Sequence, residues 1–301
     1  MSEPWRFEKL HLKSGLNMQV ARAGQDAAKP FIVMLHGFPE CWYSWRHQIR
    51  ALAPHFECVA PDLRGYGETD APVGIENYSL DKLIGDVADL IEACGRRRAI
   101  IMAHDWGGAI AWATALQRPE LVEKLIVMNC PHLKKFRENL LGNPRQMLKS
   151  WYILFFQIPR LPEALIRARD FAALKRMLRD SAIQKSAFSD EDLVHYRAAF
   201  RNPYSITAAI NYYRALFREN LRNRQTPEWI ERKITAPTMV IWGEQDVALR
   251  KELTFGMKEL FEAPFEIHYL SDSGHWVQQE KPQQVNDFLS KFLSISATPT
   301  A

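Results

Sequence analysis

The stretch Ala99-Ile-Ile-Met-Ala-His-Asp-Trp-Gly-Gly108 decides how the rest of the chain is read. Its first five residues form an apolar run too short for a helix, which predicts a strand buried on both faces, and from Ala109 the pattern turns helical. Between them, Ala103, Asp105 and Gly107 alternate as small, nucleophile, small. A strand-to-helix turn this tight lifts its central side chain clear of the sheet and leaves room only for small neighbours. The amide of Trp106 then stands at a helix N-terminus, where partial positive charge collects, and offers half of an oxyanion hole. An aspartate at the centre selects the chemistry. A carboxylate attacking an ester would give an anhydride and gain little, whereas attack on a saturated carbon bearing a strained oxygen or a halide gives a plain ester that a protein can hydrolyse. Esterase and protease chemistry is therefore disfavoured.

Working outward, Trp5 to Leu12 and Leu16 to Arg22 alternate in polarity around Ser14-Gly15 and predict an antiparallel hairpin. Short apolar runs at Phe31–Leu35, Glu57–Ala60 and Leu125–Met128 read as further buried strands. They alternate with helical patterns, the clearest being Leu80, Leu83, Ile84, Val87, Ile91 and Cys94, with Ser79 placed to cap its start and Gly95 to end it. This rhythm predicts an α/β fold with a mostly parallel, doubly wound sheet. It is lost from about Pro131 to Lys233, a stretch read as several helices, and returns at Thr238–Trp242 and Phe265–Tyr269. The expected organisation is a core in two parts, 1–130 and 234–301, with 131–233 inserted as a helical lid over the strands' carboxyl ends. The last helix carries Val285, Phe288, Leu289, Phe292 and Leu293 on one face. The tail from Ser296 to Ala301 holds too little apolar surface to order.

Two polar loops follow the late strands. Gly243-Glu-Gln-Asp246 comes after Thr238–Trp242, and Ser271-Asp-Ser-Gly-His275 after Phe265–Tyr269, completing the order nucleophile, acid, base. His275 is read as the base that takes a proton from water, and Asp246 as the acid that fixes its tautomer. Glu244 and Asp272 are rival carboxylates in the same loops. After Leu35, the loop His36-Gly-Phe-Pro-Glu40 turns sharply at Gly37 and offers the Phe38 amide as the second oxyanion donor. Pro39 is a candidate for a cis bond. The run Asp62 to Asp70 is a glycine-rich turn read as support, with no chemistry assigned.

Composition narrows the class. With 301 residues, 47% of them apolar, the chain can bury a substantial core without a disulfide or a metal. The net charge of +4 is scattered, and Arg96-Arg-Arg98 alone does not argue for nucleic acid. Cys41, Cys58, Cys94 and Cys130 stand far apart and read as core thiols of a reducing compartment. No run reaches membrane-spanning length and no signal segment opens the chain, which predicts a cytoplasmic protein with no membrane span, a monomer or a homodimer. No metal-ligand cluster or organic cofactor is expected.

Taken together, His36 to Glu40 with Trp42-Tyr-Ser-Trp-Arg46, Asp62 to Asp70, His104 to Gly108, Trp242 to Asp246 and Ser273 to Trp276 resemble the epoxide hydrolases of the α/β-hydrolase fold, over about Phe7 to Leu293. Ala103 stands where relatives often have Gly, a change small enough for the turn to survive. The resemblance implies two lid tyrosines that hydrogen-bond the epoxide oxygen and protonate it as the ring opens. It picks out Tyr152 in Trp151 to Pro159 and Tyr213 in Asn211-Tyr-Tyr-Arg214, with Tyr212 as the substitute if the register slips by one. It implies conversion of small apolar epoxides to vicinal diols through an ester on Asp105. Trp106, Trp151, Phe155 and Phe156 either line an apolar pocket or pack as the core of a lid helix. A haloalkane or haloacid dehalogenase uses the same Asp-His-Asp logic and is the nearest rival; haloalkane dehalogenases commonly place Asn at the position of Phe38, and fluoroacetate dehalogenases Arg at that of Trp106. A non-catalytic receptor on the same fold is the rival of another class.

Overall fold

The computed structural model of the chain describes residues 3–142, 144–222 and 226–295, so the tail from Ser296 to Ala301 lies outside the described residues. Eight strands, β1 (Trp5–His11), β2 (Asn17–Ala23), β3 (Phe31–Leu35), β4 (Glu57–Pro61), β5 (Ala99–His104), β6 (Val122–Met128), β7 (Thr238–Gly243) and β8 (Phe265–Leu270), form one sheet. Its order is β1-β2-β4-β3-β5-β6-β7-β8. β2 pairs antiparallel with both β1 and β4, and all other neighbours are parallel. The hairpin turns at Gly15, whose φ of +82° suits a residue without a side chain. β6 begins three residues earlier than its apolar run, because Glu123 and Lys124 sit at the sheet's outer end, where only part of each side chain is covered.

The helices follow in chain order as α1 (Arg46–Leu52), α2 (Leu80–Ala93) and α3 (Trp106–Gln117), then α4 (Leu133–Gly142), α5 (Pro144–Lys149), α6 (Trp151–Phe155), α7 (Leu161–Lys175), α8 (Asp190–Ala198) and α9 (Ser205–Arg222), and finally α10 (Val277–Glu280) and α11 (Pro282–Phe292). α4 to α9 all lie between β6 and β7, with no strand of the sheet among the described residues there, so the helical insertion expected from the sequence is present. α2 differs from expectation at one end. Ser79 occupies the N-cap position, yet its side chain makes no capping hydrogen bond. The other end closes as expected, with Gly95 at φ +72° and the amides of Arg96 and Gly95 donating to the carbonyls of Ile91 and Glu92.

Strand residues alternate between two apolar layers. Val33, Leu35, Ile101, Val127 and Val240 pack toward α2, α3 and the insertion. Ile32, Met34, Ile100, Met128 and Ile241 pack toward α1 and α11. β3 leads into α1 on the second face, and β5 leads into α3 on the first. Loops leaving neighbouring parallel strands for opposite faces open a crevice at the strands' carboxyl ends, the expected place for a ligand in such a sheet.

Candidate active site

Asp105 sits in that crevice at the end of β5. Its backbone adopts φ +49°, ψ −119°, a strained conformation for a residue with a side chain. Two glycines permit it. A Cβ on Gly107 would lie 2.2 Å from the carbonyl oxygen of Leu35, and a Cβ on Gly37 would lie 2.4 Å from the Cβ of Asp105. The β3 and β5 loops thus touch through backbone, which brings the Phe38 amide against the carboxylate. The amide donates to Asp105 Oδ1 at 2.8 Å, and the Phe38–Pro39 peptide bond is cis. Trp106 opens α3, so its N–H belongs to the first turn, where no intrahelical acceptor exists.

The other oxygen, Asp105 Oδ2, stands 3.6 Å from His275 Nε2. His275 Nδ1 lies 2.6 Å from Asp246 Oδ2. Asp246 is buried and accepts further bonds from Asn129 Nδ2 at 2.8 Å and from the amides of Ala248 and Leu249 at 2.7 and 2.8 Å. Burial pushes its carboxyl up, but the imidazole and these donors outweigh burial and hold it below the usual range. Burial likewise pushes the His275 imidazole down, yet Asp246 and Asp105 together hold it well above an ordinary histidine. The structure brings none of the rival carboxylates to His275: Glu244 pairs with Lys251, and Asp272 pairs with Lys281.

Tyr152 from α6 and Tyr213 from α9 line the same cavity as Asp105 and Trp106, a space of about 80 Å³ walled also by Leu133 and Phe136. Tyr213 packs edge-on against Trp106, Phe38 and Tyr152, at centroid distances of 5.0, 5.7 and 5.8 Å. Burial, followed by the charge of Asp105, raises both phenols above their ordinary value. Tyr212 is placed differently. Its hydroxyl donates to the Arg64 carbonyl at 2.8 Å and its ring packs on Tyr66, Tyr78 and the Trp106 ring without lining the cavity. Of the aromatics considered for a pocket, Trp106 lines it and Phe156 packs between Phe38 and Tyr213. Trp151 does neither and is 62% exposed, because helical spacing alone does not say which side of a helix faces inward.

Three further residues went unassigned in the sequence. Asn129, at the end of β6, bridges to the β7 loop by accepting from the Gly243 amide at 2.9 Å and donating to Asp246. Glu40 and His104, both fully buried, join the Asp105 turn to the His275 loop: His104 Nδ1 meets Glu40 Oε2 at 2.6 Å, and its Nε2 meets the His275 carbonyl at 2.8 Å. The one signal for them was an acid and a histidine inside otherwise apolar, glycine-containing loops.

The family model of the alpha/beta hydrolase fold matches residues 30–282. Epoxide hydrolase 4 of Homo sapiens is 40% identical over 284 residues, covering 93% of this chain and 76% of that protein. Epoxide hydrolase 1 of Caenorhabditis elegans is 38% identical over 296 residues, covering 97% and 71%. Among solved structures, a mutant epoxide hydrolase from Bacillus megaterium complexed with its product superposes with a TM-score of 0.87 at 32% identity, covering 95% of this chain and all of that one. The likeness in sequence and in fold runs along nearly the whole length, and the chain belongs to the epoxide hydrolases of the α/β-hydrolase fold.

Proposed function

We propose that Asp105 is the nucleophile of epoxide hydrolysis, Tyr152 and Tyr213 the acids, and His275 with Asp246 the base. The observation that carries this reading is the unequal setting of the two Asp105 oxygens. Oδ1 is engaged by the Phe38 amide, which leaves Oδ2, on the His275 side, as the attacking atom. Oδ2 forms a bond to the less hindered epoxide carbon as that carbon's bond to the ring oxygen breaks, and the ring oxygen takes a proton from a phenol. The hydroxyalkyl ester that results has Oδ1 as its carbonyl oxygen. Water that loses a proton to His275 attacks the ester carbonyl, and the amides of Phe38 and Trp106 stabilise the oxyanion on Oδ1. Collapse breaks the bond between the acyl carbon and Oδ2, the departing alkoxide takes the proton back from the His275 imidazolium to complete the diol, and the carboxyl formed with the water oxygen on Asp105 returns its proton to the phenolate.

The charge of Asp105 couples the two steps. While ionised it raises Tyr152, Tyr213 and His275 alike. Alkylation removes that charge, so the phenols become stronger acids as an alkoxide develops, and the imidazole can release its proton and become available to water. The apolar walls suit a small apolar epoxide. Residues 131–233 are assigned to the lid, and 1–130 with 234–301 to the core. Among the described residues no helix is long and apolar enough to cross a membrane; a cytoplasmic monomer or homodimer fits this reading.

One turnover in oxygen-18 water with excess enzyme tests the scheme. Peptide mass spectrometry should find the label in the Asp105 side chain. Label confined to the diol would mean direct attack by water and would overturn it.

A further inference from the structure

α6 is apolar on both sides. Its inner residues Tyr152 and Ile153 wall the cavity that holds Asp105, and Phe156 just beyond it is buried against Tyr213. Its outer residues Trp151 and Leu154 are 62% and 64% exposed. The outward surface continues on either side of α6, through Leu148, 75% exposed, and through Ile158, Leu161 and Leu165. Leu148, Trp151, Leu154 and Ile158 recur at helical spacing, and α5 runs into α6 through the Ser150 amide bonded to the Gln146 carbonyl at 2.9 Å. A helix that is apolar all round is normally buried, so this outer side is a surface without its partner.

The charges beside it point to what the partner is. Segment 150–169 carries Arg160, Arg167 and Arg169 against one acid, Glu163. That acid is buried and paired with Arg214 at 2.6 Å, so it does not offset the bases at the surface. Two copies meeting through this face would bring these arginines together, since Asp170 at its edge is already paired with Arg197. Exposed aliphatic residues and a tryptophan, bordered by arginines, instead match the boundary between anionic headgroups and acyl chains.

We propose that the outer face of α5, α6 and the start of α7 docks reversibly on an anionic lipid surface, with α6 as the wall between that surface and the cavity. The docking does not depend on the residue roles assigned above. It places the cavity one helix away from a phase in which apolar small molecules collect.

Co-sedimentation of the full chain with vesicles tests it, using phosphatidylcholine alone and phosphatidylcholine mixed with phosphatidylglycerol. Binding is expected to the mixed vesicles and much less to the neutral ones, falling as salt is raised. Trp151→Ser combined with Leu154→Ser should lower the partition coefficient about tenfold or more, since two large apolar side chains no longer enter the interface. Arg160→Glu with Arg169→Glu should weaken binding to mixed vesicles only. Turnover of a water-soluble epoxide and the circular dichroism spectrum should be unchanged in both variants, which separates lost docking from lost fold. Failure to bind either vesicle overturns the proposal, as does binding that the Trp151 and Leu154 changes leave intact. Sedimentation velocity showing a dimer that the same changes dissolve, without vesicle binding, would identify a second copy as the partner and overturn it too.

Discussion

The side chains of Glu40 and His104 meet at 2.6 Å with neither exposed to solvent. Glu40 also accepts from the Gly37 amide at 2.9 Å and from Gln279 at 2.8 Å. Burial would raise its carboxyl, but His104 and these donors hold it at about 2. A glutamine there would set its NH₂ against donors. Glu40→Gln should destabilise the fold by about 3–5 kcal/mol, the usual cost of breaking a buried pair from one side, measurable by urea unfolding. Because the folded value lies below the usual carboxylate value, the stabilisation is complete above that usual value and is lost as pH falls toward 2. The wild type should therefore weaken through that acid window with a slope that the Gln variant lacks.

Asp105→Ala removes the carboxylate proposed as nucleophile and keeps the Cβ, so the strain of the +49° φ is not relieved. The variant should fold and lose turnover by about four orders of magnitude or more. His275→Gln should instead complete the first step and stall, so that intact-protein mass spectrometry shows an adduct of the epoxide's mass on Asp105. An unmodified protein after long incubation with a reactive epoxide would contradict the two-step route.

The two neighbouring tyrosines of α9 separate acid catalysis from packing. Tyr213→Phe removes a cavity hydroxyl and should slow ester formation by about two to four orders of magnitude, the range for a positioned general acid. Tyr212→Phe leaves the buried Arg64 carbonyl without its donor and should cost about 1–3 kcal/mol of stability, with turnover nearly unchanged. Stopped-flow kinetics and thermal melts on the pair check both halves. Equal rate losses would return the acid role to an undecided register.

The strand-to-helix turn at Asp105 was legible because strand, bend and helix are consecutive in the chain, so Ala99 to Gly108 carries its own geometry. The same holds for the loops after β3, β7 and β8, each a polar or glycine-containing break directly behind an apolar run. Glu40, His104 and Asn129 were not legible, since their roles exist only across contacts spanning 64, 171 and 117 residues. An acid and a histidine beside glycines and apolar residues mark the places of Glu40 and His104 but not their partners. Ser79 marks a subtler limit: the residue type and position of a cap were right, but the side chain's bonding depends on a rotamer that sequence does not specify. Trp151 failed for want of orientation, as a helix apolar on both sides gives its periodicity no preferred face.

The pH profile should expose the two carboxylates that act on His275. As a base the imidazole works only when neutral, so any charge that raises it moves the acid limb of ester hydrolysis to higher pH. Asp105 is neutral once alkylated, which leaves Asp246, 2.6 Å away, as the principal influence holding that limb up. Asp246→Asn removes the charge; the amides of Ala248 and Leu249 can still bind its oxygen, while its NH₂ replaces the oxygen that accepted from Asn129 and faced His275. The acid limb of the hydrolytic step should then shift to lower pH, while its rate falls by about four orders of magnitude because the tautomer is no longer fixed and the imidazolium no longer stabilised. Single-turnover decay of the ester, followed by mass spectrometry across pH, reads both quantities. A limb that stays in place would mean that Asp246 orients the ring without setting its proton affinity.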